Sequence, residues 1–362
     1  MEELTLYVLF TWIWPPRLFI TFLLLDELSY VQPKVSVIVI AHDRREYVLQ
    51  ALMSISNQTL SREMFEVIVV KNFRDLETDT FIVSNKYSNF YTEAEDAGHK
   101  MAIGISYAKG DIIVFLEDDD LFEPTKLETI ISYFLKDKDL CFLHNSMFSI
   151  NENGSPITYH KVIPKLIEFT PSSAFLATCR KEDIKPTDIV YSSCMAIKRE
   201  LVTSYLDLLK KVKAAPDTFL VLCMINSNCK GIHIPEKLTK YRLHFSQSIQ
   251  YGDYNKFQSG NLEIRKKWME DYALMSKNFV NDNAKTLARF LMDYNNLLAT
   301  NLKPFRNPRK KTNLLLRLFG QIHIFQFYNY WMLTLLTVGT IISPLGVINF
   351  YRIYRTYKYQ RK

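Results

Sequence analysis

The chain contains few of the glycine, proline and cysteine residues that are typical of fibrous, flexible and disulfide-rich proteins. Its 362 residues include only 10 glycines and 13 prolines, which excludes collagen-like and linker-like architectures. The five cysteines are widely scattered and form no CxxC pair, so we expect buried, reduced thiols rather than a disulfide framework or a zinc site. Because 48% of the residues are hydrophobic, a large packed core is expected.

Acidic residues are missing from the end of the chain. None follows Asp293, whereas eleven Lys and Arg residues do, so that residues 1–293 carry −4 of a total charge of +7. Residues 318–351 contain no charged side chain and have basic flanks on both sides. This pattern is typical of contact with an anionic membrane, and no nucleic-acid motif accompanies it. We expect a monotopic or re-entrant region on the cytoplasmic face of the cell membrane, although a span remains open.

The N-terminus carries a hydrophobic stretch, Leu4–Leu25, that lacks the features of a secretory signal. Glu2 and Glu3 stand where a signal peptide has basic residues, and no small-residue cleavage site follows. Pro15 and Pro16 divide the stretch into halves too short to cross a bilayer as a helix. An in-plane anchor and a segment packed on the rest of the protein both remain open.

Strands and helices alternate through the next hundred residues. Short, continuous apolar runs predict buried strands, and the segments between them predict helices. This alternation indicates an α/β fold with a mostly parallel sheet. The predicted strands are Val35–Ile40, Phe65–Val70 and Asp111–Leu116, and the predicted helices are Arg44–Asn57, Leu76–Lys86 and Ala97–Ala108.

The pattern is looser after this alternation. We expect a hairpin of 140–150 with 157–162, helices over 198–213 and 217–227, a short strand at 231–234, and amphipathic helix over 255–301. These features predict four regions. They are an N-terminal hydrophobic segment (1–33), a catalytic domain (34–254), a helical region (255–302) and a basic, hydrophobic tail (303–362).

Four consecutive carboxylates, Glu117 to Asp120, directly follow the third predicted strand. Such neighbours repel one another unless water or a cation screens their charge. A solvated acidic turn is one interpretation. However, open α/β sheets bind ligands at the carboxyl ends of their strands, and oxygen ligands suit Mg²⁺ or Mn²⁺. We therefore predict a site for one of these ions and a diphosphate.

The segments around this cluster resemble family 2 glycosyltransferases over about residues 34–250. The resemblance rests on Val35–Thr59, on Gly98-His-Lys-Met-Ala-Ile-Gly104, and on the approach through Asp111 to the acidic cluster, which matches the family's DXD motif. It implies the GT-A fold, whose Rossmann-like sheet binds a nucleotide-sugar, and transfer with inversion at the anomeric carbon.

The resemblance assigns roles to the acidic cluster and to one lysine. It makes Asp119 the metal ligand, while Glu117 contacts the ribose or assists the metal. Asp118 and Asp120 are weaker candidates for contacts with the nucleotide-sugar and the metal. Lys100 corresponds to the basic residue that meets the diphosphate, with a solvated helix charge as the alternative.

Two further parts of the site follow from the same resemblance. Ala41, His42, Asp43 and Arg44 form the loop that cradles the nucleoside. His244, after the family's closing strand, completes the metal shell or touches the diphosphate.

One pair of residues departs from the family pattern. After the second strand the family usually has two acids, one of which contacts the base, but this chain has Lys71 and Asn72. Asn72 can still hydrogen-bond a base edge. The donor nucleotide is therefore left open between UDP and GDP.

A general base is needed when a hydroxyl group attacks an anomeric carbon. In the family this is an acid at a helix start, roughly 100 residues beyond the DXD motif, and Asp217 fits that position. An N-cap of the following helix is the alternative role.

These observations predict a metal-dependent, membrane-associated glycosyltransferase with a lipid-linked or membrane-surface glycan as acceptor. Two alternatives remain. A polyprenyl-phosphate glycosyltransferase would attack with a phosphate oxygen and need no strong base. A degenerate homologue could act as a membrane scaffold, and such a protein should not bind a nucleotide-sugar with a metal.

Overall fold

A computed structural model describes residues 34–42, 45–157, 162–170, 174–227, 229–244, 254–301 and 313–320, apart from 315 and 319. The predictions made for the N-terminal hydrophobic segment, for Asp43 and Arg44, and for residues 321–362 lie outside these ranges. Within them, strands and helices build one sheet with helices on both faces.

The first part of the sheet is parallel, as the sequence predicts. The strand β1 pairs with β2 on one side and with β4 on the other, and a short edge strand, β3, extends the sheet beyond β2. The strand β3 escaped prediction because its four residues are mostly exposed and lack an apolar run. These elements are β1 (Val35–Ala41), α1 (Arg45–Ser56), β2 (Phe65–Lys71), α2 (Leu76–Ser84), β3 (Ser88–Tyr91), α3 (Ala97–Tyr107) and β4 (Ile112–Glu117).

Beyond β4 the sheet becomes mixed, so the prediction of a mostly parallel sheet describes its first part best. Here β9 runs antiparallel to both β4 and β6, whereas β6 and β10 are parallel. The strand order is β3-β2-β1-β4-β9-β6-β10-β5, with β7 beside β6 and β8 beside β10. The strands are β5 (Leu121–Phe122), β6 (Leu140–Ile150), β7 (Pro156–Ile157), β8 (Ile167–Phe169), β9 (Met195–Lys198) and β10 (Lys230–Arg242).

Two predictions for this part need correction. The predicted hairpin is not one of them, since β7 pairs antiparallel with the end of β6 and residues 158–161 lie outside the described ranges. The helix predicted over 198–213 is instead the end of β9 and two short helices, since the apolar run Met195–Lys198 enters the sheet. The predicted strand 231–234 continues to Arg242, with register shifts around Pro235, which cannot donate a ladder hydrogen bond.

The helices cover both faces of the sheet. On β1, Val37 and Val39 pack with α1 and α4, while Ile38 faces the opposite side, where α3, α8, α9 and α10 lie. Gly104 allows this packing, because a Cβ there would lie 2.5 Å from Ile38 Cγ2. The remaining helices are α4 (Lys126–Lys136), α5 (Phe175–Lys181), α6 (Glu200–Thr203), α7 (Leu206–Leu209), α8 (Pro216–Ser227), α9 (Tyr254–Asn278) and α10 (Asp282–Asn301).

The helical region 255–301 is two helices rather than one. The chain breaks between α9 and α10, where the Asn226 side chain accepts hydrogen bonds from the backbone N–H groups of Val280 and Asn281. Tyr272 and Phe279 are buried in the same core as the sheet, so α9 and α10 are integral to this fold. Among the described residues, none of the helices combines the length and apolar character that a bilayer crossing requires.

The cysteine prediction is wrong for one pair. Cys141 and Cys229 form a disulfide, while Cys179, Cys194 and Cys223 are free and buried. The two partners are 88 residues apart in the chain, and they meet because β6 and β10 are neighbours in the sheet. Sequence spacing alone contains no sign of that pairing.

Candidate active site

The predicted ligand residues collect at one edge of the sheet. Because β2, β1 and β4 are adjacent and parallel, their carboxyl ends lie side by side. These ends carry Asn72, Ala41 with His42, and the acidic cluster Glu117–Asp120, and we call them together the donor edge. The structure therefore brings these residues together, and their roles stay predictions.

The acidic cluster is compact. One carboxylate oxygen from each of Glu117, Asp119 and Asp120 lies within 4.8 Å of the others. Asp119 and Asp120 are buried, and Glu117 is half-buried. Burial raises the pKa of Asp120 well above its ordinary value, and the charges of Asp119 and Glu117 raise it further. Three crowded carboxylates of this kind form a site where a cation would relieve repulsion.

These carboxylates fit a divalent metal ion. Oxygen donors from neighbouring side chains are what Mg²⁺ and Mn²⁺ prefer. Asp120, a weaker candidate from the sequence, belongs to the group together with Asp119 and Glu117. His244 lies beside it, with Nε2 at 2.9 Å from Asp119 Oδ2.

The last residue of strand β10, Arg242, hydrogen-bonds to the acidic cluster. The buried guanidinium of Arg242 donates from Nε to the backbone oxygen of Asp119 at 2.8 Å, and the Arg242 backbone N–H donates to Asp120 Oδ1 at 2.9 Å. The same guanidinium reaches Gln50 Oε1 at 2.8 Å and the backbone oxygen of Glu152 at 2.7 Å. The last residue of β10 thus fixes the turn that carries the acids.

The loop after β1 is tied to the acidic cluster and to α3. The His42 backbone N–H donates to Asp118 Oδ2 at 2.7 Å, so Asp118 holds this loop. Lys100 Nζ lies 2.5 Å from His42 Nδ1. Lys100 is fully buried, so a solvated helix charge is the wrong interpretation of it.

Sequence reasoning missed a polar layer beneath the acids. The Ser192 hydroxyl donates to Glu117 Oε1, and the Glu117 backbone N–H donates to Ser193 Oγ at 3.0 Å. Buried Lys126 donates to the Ser193 carbonyl oxygen at 2.5 Å and to Asn145 Oδ1 at 3.0 Å. Burial lowers the pKa of Lys126 to about 7. These residues come from three distant segments, and no local pattern marks them.

Asp217 faces the same cavity as the donor edge. An open cavity of about 410 Å³ is lined by His42, Lys100, Glu117 and Asp217, among others. Asp217 is the second residue of α8, and its Oδ1 accepts the N–H of Thr218 at 2.6 Å, so it is not the N-cap of that helix. Burial, opposed in part by this hydrogen bond, raises the pKa of Asp217 to about 7, and the charge of Glu117 contributes to the rise.

Helix α9 supplies part of the lining of this cavity. The lining residues on this helix are Gly260, Glu263, Ile264 and Lys267. Sequence patterns identified the helix but contained no sign that it reaches the site. We call these four residues the α9 wall.

The contacts of Lys71 and the position of Asn72 lead to different interpretations of these two residues. Lys71 is buried and its Nζ lies 2.8 Å from Asp79 Oδ1 and 2.6 Å from the Phe73 carbonyl oxygen. Its charge is therefore balanced within the domain. Asn72, directly after β2, is the residue of the pair that remains a candidate for contact with a base.

The chain is similar to known glycosyltransferases. Residues 36–206 match the model of the family described as glycosyl transferase family 2. An uncharacterized glycosyltransferase of Rickettsia bellii is 25% identical over 235 residues, which are 64% of this chain and 32% of that protein. Another, of Methanocaldococcus jannaschii, is 24% identical over 224 residues, which are 59% of this chain and 71% of that protein. The chain thus spans about a third of the length of the Rickettsia relative.

A solved structure shares the fold. S. aureus TarS, residues 1–349, superposes with a TM-score of 0.52 at 14% identity, covering 88% of this chain and 91% of that one. The same TarS fragment in complex with UDP-GlcNAc superposes with a TM-score of 0.50 at 15% identity, again covering 88% and 91%. At this level of identity the likeness concerns the fold alone.

Proposed function

We propose that this chain, whose residues 36–206 match the glycosyl transferase family 2 model, transfers a sugar from a nucleotide-sugar to a hydroxyl group of a glycan, with inversion at the anomeric carbon. The observation that carries the proposal is a single cavity lined by Glu117 of the acidic cluster and by Asp217. The acidic cluster suits a metal and a diphosphate, and Asp217 suits an acceptor hydroxyl.

The donor edge would hold the nucleotide-sugar. Asn72 and the loop from Ala41 through Arg44 would contact the nucleoside, and Lys100 would place a positive charge near the diphosphate. The TarS fragment, which shares the fold, binds UDP-GlcNAc in one of its structures. Both UDP- and GDP-sugars are therefore included in the test below.

The metal, Mg²⁺ or Mn²⁺, would be held by Asp119, Glu117 and Asp120, with His244 at the side of Asp119. When bound, it would offset the charge that develops on the leaving diphosphate. Arg242 and Ser192 would keep the carboxylates in place, because they hydrogen-bond the acidic turn or its side chains.

Asp217 would act as the general base. Its carboxylate takes the proton of the acceptor hydroxyl while that oxygen forms a bond to the anomeric carbon. The bond from this carbon to the diphosphate oxygen breaks at the same time, and its electron pair leaves with the nucleoside diphosphate. A pKa of about 7 suits this role, since proton transfer is most efficient when the pKa of the base lies near the working pH.

The position of Asp217 also separates this proposal from its rivals. A phosphate acceptor would already be deprotonated, so a polyprenyl-phosphate glycosyltransferase would gain little from a carboxylate facing the acidic cluster. A non-catalytic scaffold would need neither group. The hydroxyl-acceptor hypothesis uses both.

We also propose that residues 303–362 bring the enzyme to the cytoplasmic face of a membrane, where a lipid-linked or surface glycan would be the acceptor. The support is the uncharged run 318–351 between basic flanks. A single cysteine placed near Lys362 would test the topology in intact cells with an impermeant thiol reagent. Labelling from outside would contradict a monotopic arrangement.

A donor screen tests the proposed activity. The full chain is incubated with a panel of UDP- and GDP-sugars, with Mg²⁺, with Mn²⁺ or with EDTA, and release of the nucleoside diphosphate is measured. We expect release from one donor class that disappears with EDTA and in the Asp119→Ala variant. Absence of both binding and release across the panel would favour the scaffold.

A further inference from the structure

A buried carboxylate on α9 contacts the segment that leads into Asp217. Asp271 is only 1% exposed, and its two oxygens accept three consecutive backbone N–H groups. Oδ1 accepts from Lys213 at 2.8 Å, and Oδ2 accepts from Ala214 at 2.8 Å and from Ala215 at 3.0 Å. We call this arrangement the Asp271 clamp.

Neighbouring residues of α9 hold the same segment. Trp268 donates from its indole N–H to the Ala214 carbonyl oxygen at 3.1 Å. One turn along, buried Tyr272 belongs to the same core cluster as Phe219 of α8. The segment 213–215 is thus held by side chains of α9.

Helix α3 holds the segment from the other side. The backbone N–H groups of Ala97 and Gly98 donate to the carbonyl oxygens of Lys213 and Val212 at 3.1 and 3.2 Å. A Cβ on Gly98 would lie 2.5 Å from the Val212 oxygen, so the approach is close. Helix α3 also carries Lys100, which places the donor edge and the segment before Asp217 on one support.

We propose that Asp271 is a positioning residue for the transfer reaction, holding segment 213–215 so that the carboxylate of Asp217 points into the cavity. The inference rests on the proposed role of Asp217 as general base. It gives helix α9 a positioning role in the reaction. This helix lies beyond the family match at residues 36–206. An aspartate suits this task, because a carboxylate offers acceptors on both oxygens and no donor that would face the three N–H groups.

The Asp271→Asn variant tests the clamp. An asparagine retains one acceptor oxygen but turns an NH₂ group toward backbone donors, so segment 213–215 should shift. Misplacement of a reacting group by about 1 Å costs on the order of 10²-fold in rate. We expect kcat for nucleoside diphosphate release to fall between about 10- and 100-fold, with Mn²⁺-dependent binding of UDP and GDP unchanged.

A matched control separates this effect from loss of stability. Asp293 is also a buried carboxylate of the helical layer, 4% exposed, but its partner is Arg317 at 2.6 Å and it does not line the cavity. Asp293→Asn should lower the thermal midpoint without changing kcat. If both variants lose stability equally and both keep wild-type kcat, Asp271 has a structural role only.

A double-mutant cycle of Asp271→Asn and Asp217→Asn tests most directly whether Asp271 acts through Asp217. If Asp271 acts through Asp217, then Asp271→Asn should cost nothing more in a chain that already carries Asp217→Asn. An equal loss in both backgrounds would overturn the inference. Should Asp271→Asn fail to fold, Trp268→Phe removes the indole donor together with part of the ring, and a smaller loss of kcat with the same dependence on Asp217 is expected.

The cycle also distinguishes this inference from the proposed function. If Asp217→Asn turns over like the wild type, the general-base proposal fails, and the positioning role fails with it. If Asp217→Asn is strongly impaired while Asp271→Asn and Trp268→Phe are not, only the positioning role is wrong.

Discussion

The donor edge and the segment that carries Asp217 are built in different ways. At the donor edge, side chains at or just beyond the ends of β4 and β10 contact one another directly, as Asp119, Asp120, Arg242 and His244 do. Asp217 instead receives its hydrogen bonds from Thr218, and backbone groups just before it are held by α9. The first arrangement concentrates negative charge for a cation, and the second sets up a single carboxylate for a proton.

This difference predicts that substitutions at the donor edge and at Asp217 have separate effects on donor binding and turnover. Removing a ligand at the donor edge should abolish binding and turnover together. Changing Asp217 should leave binding intact. The following variants are ordered from the largest expected effect to the smallest.

Asp119→Ala should have the largest effect. It removes an oxygen ligand from the centre of the acidic cluster, so metal-dependent donor binding and transfer should both be lost, with a fall in rate of more than about 10³-fold. Calorimetry with Mn²⁺ and UDP or GDP, together with nucleoside diphosphate release, measures both. Glu123→Gln is the control, since Glu123 follows closely but pairs with Lys240 at 3.1 Å outside the cluster. Full activity of Asp119→Ala would refute the metal assignment.

Asp217→Asn should reduce turnover by on the order of 10²-fold or more, as loss of a positioned base does, with little change in donor affinity. Steady-state kinetics and calorimetry provide the comparison. Asp207→Asn is the matched control, because Asp207 is 94% exposed and pairs with Lys210 on the surface at 3.1 Å. A collapse of donor affinity would instead make Asp217 a binding residue.

The pH profile sharpens the same distinction. Burial raises the pKa of Asp217 to about 7, and a base works only when it is deprotonated. Turnover should therefore rise about tenfold per pH unit below pH 7 and level off above it. In Asp217→Asn this rise should disappear from the residual rate. A flat wild-type profile between pH 5 and pH 8 would show that no group of this kind limits the reaction.

Arg242→Met tests how the donor edge is held. The substitution leaves the backbone oxygens of Asp119 and Glu152 without their buried donor, so the free energy of unfolding should fall by about 3 kcal/mol. Urea denaturation measures this change. Lys240→Met, two residues earlier on β10 and partly exposed, should cost about 1 kcal/mol or less. Equal losses would mean that Arg242 does not stabilise the acidic turn.

Lys71→Met should have the smallest effect on function. Its contacts with Asp79 and the Phe73 carbonyl oxygen lie inside the domain, so stability should fall by about 1–2 kcal/mol. The ratio of UDP to GDP affinity should stay the same, whereas Asn72→Ala should change it. An altered ratio in Lys71→Met would place Lys71 at the nucleotide base.

Local sequence patterns indicated the position of the donor edge more directly than that of Asp217 and the α9 wall, for a physical reason. Strands β1, β2 and β4 are continuous apolar runs with their ligand residues directly at the ends, so local pattern and site position coincide. Asp217 was found through the family resemblance and its place at a helix start. Lys126, Ser192 and the α9 wall were missed, because only the mixed pairing of β9 and the packing of α9 bring them to the site.

The same reasoning explains the remaining errors. The strand β9 is four residues long, and its position in the sheet depends on pairing with β4 and β6. No hydrophobic periodicity within the strand indicates that pairing. Cys141 and Cys229 likewise meet through the pairing of β6 with β10. Long-range contacts decide these features, whereas the acidic cluster depends mainly on the strand that precedes it.

The most direct test compares Mn²⁺-dependent nucleotide binding in two variants of the full chain. Isothermal calorimetry with UDP and GDP, with and without Mn²⁺, is applied to Asp119→Ala and Asp217→Asn. We predict that binding is lost in Asp119→Ala and matches the wild type in Asp217→Asn, although neither variant turns over donor normally. Loss of binding in both variants, or in neither, would contradict the division of the cavity into a metal-binding side and a proton-accepting side.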